Sequence, residues 1–196
     1  MAFRNMSNRK RLAILFDLSN LNESFQRIIK EYDLPNRTKI DFERLVSLIA
    51  TGFEVVHKSI YMAKRVGLDS NKIVSQNKFI ENLRSRGFKV IAKDSKVITQ
   101  NDGSVKIKGD MDVEITTDAS ELIWRRDCDE LVLVSGDSDF TYFLERANSY
   151  GVNITVVSSR NSISQELARL ATRVILLEEI DIRNYTFSSN PKSTSY

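Results

Sequence analysis

A chain of 196 residues with 41% hydrophobic content can bury a core of its own, and its length fits one domain with ragged ends. Its longest apolar runs, such as Leu12 to Phe16, Leu131 to Val134 and Val174 to Leu177, are strand-sized and far below a membrane span. A formal charge of +3 permits nucleic-acid contact without requiring it, and the lone Cys128 excludes an internal disulfide framework and fits a reducing compartment.

In chain order, Met1 to Met6 lead into Arg9-Lys10-Arg11 without an apolar segment, so no signal peptide and a cytoplasmic setting are expected. Arg11 to Asp17 reads as a buried strand. Asp41 to Thr51 places Phe42, Leu45, Val46, Leu48 and Ile49 at helical spacing, ended by Gly52. Phe53 to Met62 predicts a second strand. Asp69 to Arg86 predicts a helix with Ile73, Phe79, Ile80 and Leu83 inward, and Phe88 to Ala92 a third strand. Val97-Ile98-Thr99 and Val105-Lys106-Ile107 flank Asn101-Asp102-Gly103, the signature of a small hairpin. Asp112 to Arg126 is then a helix, Glu130 to Val134 a central strand, Ser138 to Tyr150 a helix and Val152 to Val157 a strand. Ser162 to Thr172 and Arg173 to Leu177 predict the last helix and strand. Three parts are expected: a basic start over 1–10, one domain over 11–180, and a tail over 181–196, mobile from Asn184 where Ser, Asn and Thr dominate. The alternation favours an α/β three-layer sandwich with a mostly parallel central sheet, since parallel neighbours need crossovers that helices usually supply.

Acids collect at the carboxyl ends of these strands, where open parallel sheets bind ligands. Asp17 closes Ile14-Leu15-Phe16-Asp17, Asp112 opens a helix after Lys108-Gly109, and Asp137 and Asp139 bracket Ser138 in Ser135-Gly136-Asp137-Ser138-Asp139. Local turn or capping roles compete with ligation for Asp17 and Asp112. Capping explains one acid of the Asp137 pair but not both. Converging carboxylates repel unless solvated, protonated or neutralised by a cation. With no histidine or cysteine cluster in the chain, Mg²⁺ or Mn²⁺ is the fitting ion. Asn20, Asp118, Ser135 and Ser138 rank second, as supporting groups. Arg9, Lys10, Arg11, Lys93, Lys96, Lys106 and Lys108 are candidates for the nucleic-acid backbone, against the plainer reading of a solvated basic surface. His57, the only histidine, lies on a predicted strand apart from these motifs, and neither G-x-G-x-x-G nor G-x-x-x-x-G-K-[ST] occurs.

Phe16-Asp17-Leu18-Ser19-Asn20-Leu21, Lys108-Gly109 leading into Asp112 with Asp118 and Ala119, and Ser135-Gly136-Asp137-Ser138-Asp139-Phe140 together resemble the NYN domain, and more closely its LabA-like branch within the PIN and FLAP nucleases. The likeness runs from about Leu12 to Leu177. It implies a PIN-like Rossmannoid fold and a metal-dependent nuclease acting on RNA, with single-stranded DNA as second substrate and no membrane partner. It makes Asp17, Asp112, Asp137 and Asp139 the acidic metal centre beside Asn20. Asp110-Met111 lengthens the approach to Asp112, and Tyr142 stands where the family often has proline. Two other readings stay open: an RNA-binding or assembly module of the same fold without turnover, in which a homo-oligomer or protein partner has a place, and an Asp-x-Ser adhesion-type metal site, which wants a further Ser where Leu21 stands.

Overall fold

The computed structural model describes residues 9–64, 70–99 and 105–188, with side chains except at 96–99 and 105–108. The expected Asn101-Asp102-Gly103 turn, the start of the third helix at Asp69, and the side chains of Lys96, Lys106 and Lys108 therefore lie outside the described residues.

Strand and helix alternate as β1 (Arg11–Asp17), α1 (Leu18–Glu31), β2 (Thr38–Ile40), α2 (Phe42–Ile49), β3 (Glu54–Lys64), α3 (Ser70–Ser85) and β4 (Lys89–Asp94). There follow β5 (Lys96–Thr99), β6 (Val105–Lys108), α4 (Asp112–Trp124), β7 (Glu130–Val134), α5 (Thr141–Asn148), β8 (Asn153–Ser158), α6 (Gln165–Leu170), β9 (Arg173–Leu176) and β10 (Thr186–Ser188). A six-stranded sheet runs β4-β3-β1-β7-β8-β9, all neighbours parallel, while β5 pairs with β6 and β10 with β2 as antiparallel ribbons. Strand order reverses at β1: the chain builds outward to β3 and β4, then returns to the other side of β1 with β7.

Both faces of the sheet are covered, so its central strands β1, β7 and β8 are buried along nearly their whole length, while β3 and β4 toward the edge carry charged residues. Alternation sends Leu12, Ile14 and Phe16 of β1 into one core with α1, α2 and the buried stripe of α3, while Ala13 and Leu15 face α4 and α5. Leu131 and Leu133 of β7 share that second face with Met111, Ile115 and Ala119 beside α4. The first core is rich in edge-to-face aromatics: Phe16 meets Phe42 at 5.6 Å and Phe88 at 6.2 Å.

Several elements differ from the sequence reading. Leu18–Glu31 is a fourteen-residue helix that the sequence reading did not include. Its Leu18, Leu21, Phe25, Ile28 and Ile29 bury a stripe at helical spacing. In α3 only Ile80 and Leu83 are buried; Ile73 and Phe79 are 44% and 37% exposed, because a helix over the edge of the sheet needs a narrower apolar stripe. Leu48 of α2 likewise faces outward. The segment from Asn184, expected to be mobile, includes a fully buried Tyr185 that packs near Phe25, followed by β10 on β2. A long-range ribbon pairing of this kind leaves no trace in local composition.

Candidate metal centre

The acids meet where the strand order reverses. Register sets Phe16 opposite Val134, so Asp17 and Ser135 follow side by side past the ends of β1 and β7. The Ser135 hydroxyl donates to Asp17 Oδ2 at 3.1 Å, and the Gly136 N–H donates to Asn20 Oδ1 at 2.9 Å. These two bonds stitch the switch point together. Asp17 also caps α1, its Oδ1 accepting from the N–H groups of Ser19 and Asn20. The turn role and a place in the cleft are thus held by one side chain, not by rival readings.

Asp137 caps the short 3₁₀ turn Ser138–Phe140 by accepting from the Asp139 N–H at 3.1 Å. Asp112 is the first residue of α4 rather than its cap; Asp110 Oδ1 accepts the Asp112 N–H at 3.0 Å. One carboxylate oxygen from each of Asp112, Asp137 and Asp139 lies within 4.8 Å of the others. Asp17, Asn20, Ser19, Gly109 and Asp110 line the same cleft, of about 330 Å³. Glu23 lines it too. The sequence reading did not single it out, and the signal for it was its place three residues after Asn20 on an amphipathic helix, one turn along the same face.

Electrostatics register the crowding. Burial raises the Asp17 carboxyl above its ordinary value, outweighing its hydrogen bonds, and the Asp137 charge adds to the rise. Asp112 is pushed up to about 7, first by burial, then by its hydrogen bond with Asp110 and by the charges of Asp110, Asp17 and Asp137. A set of oxygen donors under mutual repulsion, open to solvent on one side, suits a hard divalent cation that keeps some of its own water.

The second-rank groups divide. Asn20 lines the cleft, and Ser135, buried behind it, donates to Asp17 and so holds that carboxylate in place. Ser138 is exposed on the 3₁₀ turn and is not among the residues lining it. Asp118 lies about 9 Å further along α4 than Asp112. There it accepts from the Tyr61 hydroxyl at 2.8 Å and from Lys89 Nζ at 2.9 Å, beside a bonded His57–Ser59 pair. Of the basic candidates, Lys93 is the next-to-last residue of β4 and pairs with Glu114 at 2.6 Å. Arg11 pairs with Asp129 at 2.9 Å at the opposite end of β1, roughly 20 Å of strand from Asp17, and Arg9 and Lys10 precede it.

Comparison with known proteins decides the family, since the model of the NYN domain matches residues 11–178. The chain belongs to the NYN domain family. It is 29% identical over 182 residues to Low amplitude and bright protein LabA of Synechococcus elongatus, covering 92% of this chain and 88% of that protein, which places it in the LabA-like branch of the PIN-like nuclease superfamily. An uncharacterized protein of Methanocaldococcus jannaschii is 24% identical over 90% of the chain, which spans 59% of that relative's length. A crystal structure of a protein of unknown function from Vibrio parahaemolyticus superposes with a TM-score of 0.67 at 29% identity, covering 94% of this chain and all of its counterpart. Among the described residues, no helix is long and apolar enough to cross a membrane.

Proposed function

We propose that this NYN domain is a divalent-metal-dependent nuclease that hydrolyses phosphodiester bonds in RNA. The observation that carries the reading is the convergence of Asp112, Asp137 and Asp139 within 4.8 Å at the strand-order reversal, with Asp17 lining the same cleft. Mg²⁺ or Mn²⁺ bound there would supply a Lewis acid for the scissile phosphate and would lower the pKa of a bound water so that it could act as hydroxide. Asp112, Asp137 and Asp139 would hold the ion, and Asp17, fixed by Ser135 and by two backbone N–H groups, would complete the acidic wall. Asn20 keeps the two strand ends in register. Glu23, on the α1 side of the cleft, is placed to accept a proton from water or to orient it.

Lys93, near the end of β4, and the lysines of the β5–β6 ribbon are the backbone contacts nearest this reading, giving salt-sensitive and largely sequence-blind binding. Arg9, Lys10 and Arg11 belong to a separate surface at the far end of β1. The adhesion-type alternative loses support because Leu21, where a further Ser would be needed, is buried in the core. A reducing, cytoplasmic setting fits the free and buried Cys128.

The test is cleavage of labelled single-stranded RNA, structured RNA and DNA in Mn²⁺, Mg²⁺ or EDTA, with the Asp137→Asn variant alongside. Metal-dependent cleavage that the variant loses supports the reading. RNA binding without cleavage in every metal refutes it in favour of a binding module.

A further inference from the structure

A second recess, of about 400 Å³, is lined by α1, the β2–β10 ribbon, the start of α2 and α3. We propose that it is a nucleobase-binding subsite; as a subsite for RNA it rests on the nuclease reading, though its chemistry does not. Its volume falls within the range of small-ligand sites. Phe79 and Phe187 border it and stay 37% and 46% exposed, so part of each aromatic surface is open to a flat ligand. Three carboxamides, Asn22, Gln26 and Asn82, line the same recess, and among the described residues no side-chain hydrogen bond engages them. A carboxamide carries both donors and an acceptor, which is what the edge of a base requires; an alkyl or acyl occupant would leave all three desolvated and unpaired. Lys39 lies directly opposite Phe187 in the ribbon, so its cation stands on the same face as the ring, in reach of a phosphate attached to a bound base.

Position links the recess to the acidic cleft. Ser19, Asn20 and Glu23 of α1 line the cleft, while Asn22 and Gln26 of the same two turns line the recess. With about 3.6 residues per turn the two sets form neighbouring stripes, roughly 90° apart on a cylinder roughly 10 Å across, and they meet where Ser19 and Gln26 share a face two turns apart. A chain whose phosphate sits among the aspartates thus passes over α1 and delivers a base one or two nucleotides away into the recess.

The test titrates ¹⁵N-labelled full-length protein in EDTA with AMP, UMP and ribose 5-phosphate, reading the side-chain amides of Asn22, Gln26 and Asn82. In parallel, anisotropy of a labelled single-stranded RNA in EDTA gives affinities for the wild type, Phe187→Ala and Gln26→Ala, both exposed positions outside the acidic cleft. The expected result is that the nucleotides move the three amides and ribose 5-phosphate does not, and that Phe187→Ala weakens RNA binding about tenfold, with Gln26→Ala in the same direction. Amides that respond to nucleotides while neither substitution changes RNA affinity keep the base chemistry and assign it to a free nucleotide. Amides unmoved by either nucleotide overturn the proposal, whatever the cleavage assay gives. Nucleotide binding here by a protein that cuts no RNA in any metal leaves the subsite standing and removes the nuclease reading alone.

Discussion

Replacing Gly136 by Ala probes the join between the two halves of the sheet. A Cβ there would lie 2.4 Å from Ser158 Oγ and from the Ser162 carbonyl oxygen, and 2.7 Å from the Ser162 carbonyl carbon. The serine hydroxyl can swing aside, but the backbone cannot do so cheaply. The N–H groups of Ser162 and Ile163 are bonded to the Ser159 carbonyl, and the Ser164 N–H to that of Gly136 at 3.0 Å. Overpacking of this kind costs ~1–3 kcal/mol, and displacing the loop strains two bonds, Gly136 to Asn20 and Ser164 to Gly136, worth about 1 kcal/mol each. A loss of roughly 3 kcal/mol is expected, which for a chain of this length lowers the thermal midpoint by about 6–12 °C. The assay is a circular-dichroism melt in EDTA, with Gly151→Ala as the comparison. Gly151 has φ +74 and nothing within 4 Å of its added Cβ, so it costs only backbone strain of about 1–2 kcal/mol. A Gly136→Ala midpoint within about 2 °C of wild type, or one no lower than that of Gly151→Ala, would refute the steric argument.

Saturating Mn²⁺ should raise the thermal midpoint of the wild type, by the equivalent of about 2.7 kcal/mol at a hundredfold excess over Kd; calorimetric melts should show no such gain in Asp137→Asn. Tyr61→Phe removes the buried hydroxyl that donates to Asp118 and should cost about 1–3 kcal/mol in urea unfolding, without changing Mn²⁺ affinity. Burial alone would raise the Asp118 carboxyl, but the Lys89 ammonium and the Tyr61 hydroxyl together hold it below its ordinary value. With the folded value lowered, this contribution is present above pH ~4 and is lost as pH falls through the lowered value, so Lys89→Met should cost about 0.5 kcal/mol at pH 7 and less at pH 2.5. Urea curves at the two pH values check the difference.

The alternation of strands and helices from β3 to β9 was legible because each helix after Gly52 ends near a glycine or carries its apolar stripe plainly. Gly52, Gly87 and Gly151 all adopt positive φ. The acidic motifs were legible because strand-end aspartates followed apolar runs. What escaped lies where local signals overlap. Asp17-Leu18-Ser19-Asn20 reads as a turn, yet it is the first turn of α1, and with that helix unassigned Glu23 had no face on which to stand. The six-residue interval from Asp112 to Asp118 fixed neither residue's neighbours; the folded sheet supplies Tyr61 of β3 and Lys89 of β4 as the Asp118 partners. Tyr185 and β10 were invisible for a different reason, since their stability comes from β2, some 145 residues earlier in the chain.

Capping and ligation need not compete at these aspartates, and their geometry allows the two to be separated. Asp17 Oδ1 holds two N–H groups of α1 and Oδ2 takes the Ser135 hydroxyl; Asp137 Oδ1 holds the Asp139 N–H. Asn caps a helix about as well as Asp, whereas Ala loses ~1 kcal/mol at such a position. Asp17→Asn keeps the cap carbonyl, turns its NH2 to donate to the Ser135 oxygen in place of the accepted bond, and removes a charge whose burial is already unfavourable, so its metal-free stability should match or exceed wild type. Asp17→Ala should lose about 1 kcal/mol or more, since the Ser135 hydroxyl also loses its acceptor. Both variants should bind Mn²⁺ more weakly, because both remove the carboxylate. Urea unfolding in EDTA beside Mn²⁺ titration reads the two roles independently. If Asp17→Asn proved as unstable as Asp17→Ala, the carboxylate's charge rather than its capping geometry would be what the fold requires at the end of β1.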